Sequence, residues 1–345
     1  MMKHIIKRTA KKILLPVLLC TALCLNLAGC NDGKYKYIEL LPPRGLSAAF
    51  PTAINNNGVV VGWGYFASLK NFYGYKGFIY HAGKYEVLHP SEWFWMIPTG
   101  INDNDLVVGW GGFTGECKGF IYNDGEYSFL LSEEGWDEAY AFAINDSNAV
   151  VGNFFDTTNG SSKAFIYYKG KYTELLPPGW NYVEPKAIND SGAVVGEVSD
   201  GRACIDGICK GFIYSGGIYT ILLPEGWQDA WASGINNNGV VVGCGLDGNG
   251  ASKCFIYENG QYTELPLPEG CFSVRATGIN NNGVVVGSAE LGGTKGFVYS
   301  NGEYTFLLPK GWYDAEATGI NDNGVVVGHG HRYATTKWFM AIPIS

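Results

Sequence analysis

A seven-bladed, all-β propeller of four-stranded blades is the fold that three features of this sequence predict. The first is a phrase, Ile-Asn-[Asn/Asp]-x-x-x-Val-Val-Gly, whose Asn falls at Asn55, Asn102, Asn145, Asn189, Asn236, Asn280 and Asn321. The spacings of 47, 43, 44, 47, 44 and 41 residues match one small four-stranded sheet per repeat and exceed the 33 to 34 residues of helical-pair repeats. The second is that each repeat holds four strand-like phrases and almost no helical periodicity, with 49 glycines opposing long helices. The third lies at the chain ends: the seventh repeat stops after its third strand, Lys337 to Met340, and the missing fourth reappears at the front as Gly33 to Pro42. A last blade built from three C-terminal strands and one N-terminal strand closes the ring by strand pairing and leaves no sheet edge inside it.

The elements follow in order, and the sixth repeat shows them most plainly. Arg275 to Ile279 reads as the first strand and Val284 to Val286 as the second, joined by Asn-Asn-Asn-Gly, which supplies the positive-φ positions of a tight turn. Lys295 to Tyr299 and Glu303 to Leu308 read as the third and fourth, joined by Asn-Gly. All four are short and rich in β-branched or aromatic residues. The longer, dissimilar segments between second and third strands are bounded by Gly62 to Lys76, Gly109 to Lys118, Gly152 to Lys163, Gly196 to Lys210, Gly243 to Lys253, Gly287 to Lys295 and Gly328 to Lys337. Because propeller strands alternate in direction, the Asn-Gly turns share one constant face and these segments share the other, variable face.

Ahead of the repeats, Lys3, Lys7, Arg8, Lys11 and Lys12 precede an apolar run, Ile13 to Leu25, which is too short for a stable membrane-spanning helix, and then Leu27-Ala28-Gly29-Cys30. This leader resembles a bacterial lipoprotein signal peptide, cut before the cysteine that then carries the acyl chains. The expected organisation is residues 1–29 as signal peptide, 30–34 as a tether lipidated at Cys30, and 35–345 as propeller. Several acyl chains at roughly 0.8 kcal/mol per buried methylene suffice for stable anchoring. The expected location is the bacterial cell envelope, on the periplasmic side or at the cell surface.

Export makes disulfides of the remaining cysteines plausible chemistry. Of six, Cys204 and Cys209 bracket a small loop and Cys244 and Cys254 flank one hairpin, so these four are the candidate pairs; Cys117 and Cys271 stay unassigned. No metal site is expected: His329 and His331 lack a third ligand. The whole chain has 24 basic and 32 acidic residues, and the leader takes five of the basic ones, leaving 19 against 32. Without a basic stripe to neutralise phosphates, nucleic acid is not an expected partner.

On the variable face a Gly-Trp pair recurs at Trp136, Trp180, Trp227 and Trp312, with Trp93 as a looser copy and Leu46 and Cys271 in its place elsewhere. Acidic residues follow at Asp137, Asp229 and Asp314. Together they form a candidate ligand site, indoles stacking on sugar rings and carboxylates holding hydroxyls. The competing reading makes each Trp a staple between blades, its ring buried and its N–H bonded.

The phrase Ala-x-Gly-Ile-Asn-Asp-x-Gly-x-Val-Val-Gly, followed by a strand such as Lys163-Ala164-Phe165-Ile166-Tyr167, resembles the HAF repeat of bacterial extracellular proteins over nearly all of residues 35 to 340. Most copies here depart from it in placing Gly77, Gly119, Gly211 or Gly296 before the Phe. The resemblance implies an exported repeat protein and supplies no catalytic residue.

The expected function is that of a monomeric, cell-envelope lipoprotein acting as a binding module, which presents its variable loops to a protein or glycan and is held to the membrane by its lipid. The alternatives are an envelope-assembly scaffold and, further off, a hydrolase or lyase working in the central channel. An enzyme or cofactor is not expected, because the first strands read Ala-Thr-Gly-Ile, Ala-Ser-Gly-Ile and Ala-Phe-Ala-Ile, small and nearly uncharged.

Overall fold

The computed structural model describes residues 33–67, 73–113, 116–130, 137–156, 161–201 and 208–344. Among them there is no α-helix, and 28 strands account for the fold. A first strand, β1 (Tyr35–Leu40), precedes the repeats, which run as β2 (Phe50–Ile54), β3 (Val60–Ala67), β4 (Tyr73–His81) and β5 (Lys84–Leu88), then β6 (Trp95–Ile101), β7 (Val107–Gly112), β8 (Lys118–Asn123) and β9 (Glu126–Leu130). The third and fourth repeats give β10 (Glu138–Ile144), β11 (Val150–Asp156), β12 (Ser161–Tyr168), β13 (Lys171–Leu175), β14 (Tyr182–Ile188), β15 (Val194–Ser199), β16 (Cys209–Ser215) and β17 (Ile218–Leu222). The rest are β18 (Trp227–Ile235), β19 (Val241–Asp247), β20 (Ser252–Glu258), β21 (Gln261–Glu264), β22 (Val274–Ile279), β23 (Val285–Glu290), β24 (Thr294–Ser300), β25 (Glu303–Leu307), β26 (Asp314–Ile320), β27 (Val326–Arg332) and β28 (Thr335–Pro343).

Five sheets are four-stranded and antiparallel, and one has eight strands because a single parallel bridge, Tyr75 to Trp95, joins the first two repeats. The N-terminal strand β1 pairs antiparallel with β28 from Tyr35 opposite Pro343 to Leu40 opposite Trp338, completing the sheet of β26, β27 and β28 as its outer strand. First strands touch in the order β2, β6, β10, β14, β18, β22, β26 and back to β2, so the sheets stand around one axis.

The repeated Val-Val-Gly is explained by what its glycine faces. In every repeat it lies opposite a third-strand Phe, as Gly287 lies opposite Phe297 and Gly196 opposite Phe212. A Cβ on Gly287 would stand 1.9 Å from the Arg275 carbonyl oxygen and 2.8 Å from the Phe297 ring, closer than real atoms approach. The missing side chain lets two strands and an aromatic ring share that space, and the ring is buried completely, worth about 1.5–3 kcal/mol per repeat. The valines before the glycine are buried too, and together these residues make the clusters between successive sheets.

The second strands run further than the sequence suggests. In the sixth repeat the ladder continues past Gly287 through Ser288–Gly296, Ala289–Lys295 and Glu290–Thr294, leaving only a three-residue turn where a longer loop was expected. Alternation carries it: Ala289 is buried between exposed Glu290 and half-buried Ser288. The first strands, such as Asp314–Ile320, Val274–Ile279 and Tyr182–Ile188, likewise reach beyond the short Ala-x-Gly-Ile type phrases, and their outer halves carry charged side chains.

Candidate ligand site

The two ends of the central axis are built differently. At the end carrying the Asn-Gly turns, each repeated Asn is buried, and its Nδ2 donates to the backbone carbonyl of the next repeat's Asn at 2.9–3.1 Å, in the cycle 55, 102, 145, 189, 236, 280, 321 and back to 55. The same side chain accepts from its own turn, as Asn145 Oδ1 does from the Ala149 N–H at 2.8 Å. A second cycle runs through the next position: each backbone N–H donates to the following repeat's Oδ1 at 2.7–3.0 Å through Asn56, Asp103, Asp146, Asp190, Asn237, Asn281 and Asp322. These residues and the preceding isoleucines line a cavity of about 170 Å³. Burial holds the Asp146 carboxyl above its ordinary range, and repulsion from Asp103, Asp190 and Asp322 adds to it, against the Asp103 N–H that it accepts.

At the other end the repeats diverge. One register row, a first-strand residue and its second-strand partner, reads Phe50–Trp63, Ile97–Trp110, Tyr140–Asn153, Glu184–Glu197, Trp231–Cys244, Arg275–Ser288 and Glu316–His329. Its first three repeats form an aromatic arc: Phe50 stacks on Trp63 at 4.5 Å, Trp95 meets Trp110 at 5.0 Å, and Trp110 meets Tyr140 at 5.2 Å. The later repeats form a polar arc. Lys186 pairs with Glu184 and lies 3.7 Å from Glu197, whose carboxyl is raised by burial more than Lys186 lowers it. Cavities follow this arc: about 350 Å³ beside Tyr140 and Asn153, about 500 Å³ between Lys186, Trp231 and Arg275, and about 270 Å³ between Arg275 and Glu316.

The innermost strands are therefore not small and uncharged. The quoted Ala-Thr-Gly-Ile phrases cover only the halves nearest the asparagine cycle, where the first strands crowd together; Glu184, Lys186, Arg275 and Glu316 occupy the halves beyond. The row was visible in the sequence as the residue after Val-Val-Gly, the position at which Trp63, Trp110, Asn153, Glu197, Cys244, Ser288 and His329 share least.

The described Gly-Trp residues and Trp93 sit at the outer end of the same face, each closing a turn with its N–H donated to a proline carbonyl three residues back: Trp93 to Pro90, Trp180 to Pro177, Trp227 to Pro224 and Trp312 to Pro309. Trp93 and Trp312 are buried; Trp180 and Trp227 are half-buried. Trp93 packs on Phe129 at 5.3 Å, Trp227 on Phe255 at 5.9 Å, and Trp312 on Phe339 at 5.7 Å with its Nε1 3.4 Å from Glu39. Lys210 lies 5.4 Å from the Trp180 ring. Asp229 accepts the Cys209 N–H at 3.0 Å, Asp314 pairs with the His331 ring at 2.9 Å, and Asp137 is exposed. His329 lies against Phe50 at 5.1 Å. Trp136, Cys30 and Cys204 lie outside the described residues.

Cys244 and Cys254, directly opposite across β19 and β20, are disulfide-bonded with Cα atoms 3.9 Å apart, and Cys209 is also disulfide-bonded. Cys117 and Cys271 are buried free thiols, and burial pushes Cys117 up to about 12. Among the described residues no three His, Cys, Asp or Glu side chains are grouped to hold a metal ion.

Radial four-stranded sheets around an axis are the arrangement of a β-propeller, and the chain shares that fold with the β-propeller domain of the Trilobed protease from Pyrococcus furiosus, a domain described as having an open velcro topology, at a TM-score of 0.64 and 13% identity over 86% of this chain and 94% of that one. A gluconolactonase from Xanthomonas campestris (TM-score 0.41, 12% identity, 72% of this chain and 89% of that one) and TolB from Acinetobacter baumannii (0.44, 12%, 83% and 80%) are more remote and add nothing to the assignment. The chain belongs to DUF3466, a family of proteins of unknown function, whose model matches residues 123–217 and 220–308. No curated protein matches it.

Proposed function

We propose that this chain is a seven-bladed propeller lipoprotein of the bacterial cell envelope, anchored through acyl chains on Cys30, whose variable face binds a protein or glycan without chemical turnover. The blade count is supported by 28 strands, seven asparagines in one hydrogen-bonded cycle and β1 as the outer strand beside β28. The likeness to HAF repeats supports export, and the leader supports the anchor.

The observation that carries the binding reading is the contrast between the two ends of the axis. Identical demands on packing at one end give nearly the same residues seven times, whereas the register row at the other end runs from Trp and Tyr through Asn and Glu to Arg and His. A scaffold repeated for stability alone has no need of that divergence, and variable surfaces on a constant frame are where recognition resides. The reading without turnover is supported by the ion pairing of the row's two facing carboxylates, Glu184 and Glu197, with the neighbouring Lys186.

The test is binding of the full-length chain to an array of envelope polysaccharides and proteins, comparing Trp110→Ala and Arg275→Ala, in the row, with Ser147→Ala on the turn face. Loss of binding in the row variants alone is expected; equal loss in all three, or none, would refute the assignment. Palmitate labelling abolished by Cys30→Ser is the outcome expected of the anchor, and labelling that persists would oppose it.

A further inference from the structure

We infer that the groove between β10, β11 and β14 is a seat for one neutral pyranose ring, stacked on aromatic side chains and hydrogen-bonded to Asn153. This rests on the binding reading above and gives it a ligand class and a place.

Asn153 is 6% exposed, and its side-chain amide is oriented by two bonds: Nδ2 donates to Ser162 Oγ at 3.1 Å and to the Val183 carbonyl at 3.2 Å. Flipping the amide would set oxygen against the Val183 carbonyl, so the orientation is fixed by its neighbours. Oδ1 is then a buried acceptor with no hydrogen-bond partner among the described residues. Leaving such an atom unsatisfied is costly, and a ligand that donates to it recovers that loss.

The groove around it, about 350 Å³, falls within the range of small-ligand sites. Its walls are the rings of Tyr140, Phe142, Phe155 and Tyr182, with Ser162 and Glu184 as the other polar groups. Both tyrosine hydroxyls already donate, Tyr140 to Glu138 and Tyr182 to Glu184, so neither has a proton left to offer a ligand. The site thus offers acceptors and aromatic faces. Among the described residues no lysine or arginine lines it, which disfavours an anion, and Lys186 neutralises Glu184, which disfavours an organic cation. A ligand with several donating hydroxyls and one apolar C–H face fits both demands. Phe155, two residues along the strand on Asn153's face and half-buried, is one of the rings available for stacking.

The experiment is saturation-transfer NMR and calorimetry on the full-length chain with methyl glucoside, methyl galactoside and methyl N-acetylglucosaminide, and with tetramethylammonium and acetate as cation and anion probes. At least one pyranoside is expected to bind, with transfer strongest on one ring face, and neither ion. Asn153→Leu, which removes the acceptor, should weaken binding at least tenfold while keeping the parent's circular dichroism; should it misfold, Phe155→Ala supplies the same reading from the stacking wall. Binding of tetramethylammonium or acetate instead, no pyranoside binding to the parent, or pyranoside binding untouched by the folded variant, would overturn this seat. Array binding that survives in Asn153→Leu but is lost in Arg275→Ala would overturn the seat while leaving the broader binding reading intact.

Discussion

Replacing Asn145 by Ala tests the idea that the asparagine cycle, rather than the turn sequence alone, holds the repeats together. The variant loses the bond from Nδ2 to the Asn189 carbonyl at 2.9 Å and the bond from the Ala149 N–H to Oδ1 at 2.8 Å. Each is worth about 1 kcal/mol net, and both former partners are left in a site where Asn145 is 4% exposed, adding a further desolvation cost of order 1 kcal/mol or more. A loss of about 3 kcal/mol follows. With an unfolding entropy of about 2.1 cal/mol/K per residue over roughly 310 residues, that lowers Tm by about 5 °C. Thermal and urea unfolding of the full chain read it, with Ser147→Ala, an exposed neighbour in the same turn, as control. A fall no larger than the control's would show that the cycle is decorative and that packing between the sheets suffices.

Removing residues 35–40 strips β28 of its outer partner and uncovers Trp338 and Phe339, both fully buried, so aggregation by sedimentation velocity and a large drop in Tm are expected; a monomer melting like the parent would contradict closure by β1. The raised Asp146 carboxyl means that the folded state binds its proton more tightly than the unfolded chain, so that its stabilising contribution is present below the ordinary carboxylate pKa and is lost as pH rises through the higher folded value. Asp146→Asn keeps the Oδ1 that accepts the Asp103 N–H, as Asn281 does for Asn237, and should melt at or above the parent at pH 7, the gap closing as pH falls below the carboxylate range. A variant less stable at pH 7, or a gap indifferent to pH, would show that repulsion among the ring carboxylates is not felt.

The architecture was readable because each repeat restates the same physical demands. Asn at a turn, two valines and a glycine, then Phe three strands' width from the axis, are forced wherever sheets pack face to face around a centre, and seven restatements leave little choice of fold. The end-strand argument worked for the same reason: Tyr37 and Leu40 carry the pattern of a fourth strand wherever they stand in the chain. The candidate site was less readable. Gly-Trp drew attention by repetition, yet repetition is what packing imposes, and Trp93 and Trp312 are buried. The residues that face the open end, Tyr140, Asn153, Glu184 and Arg275, have no common type, and their shared position appears only when β10, β14 and β22 are aligned through their pairing with the second strands. That alignment also depends on the irregularity in each first strand, such as the shift between Ala141 and Ala143, which composition alone does not announce.

Along the chain the seven junctions look alike, but they do not form at equal cost. Six asparagine bonds join residues 41 to 47 apart, whereas the seventh, Asn321 to Asn55, spans 266. Closing the longer loop costs about 1.6 kcal/mol more entropy for the same bond, since the penalty grows as (3/2)RT ln n. The repeats next to each other in sequence can therefore assemble early and in any order, while the join between first and last waits for all of them. Stability is uneven in a molecule whose sequence is nearly periodic: the seam is the last contact made and the first released, and the six-residue ladder of β1 on β28 lies where that extra loss falls.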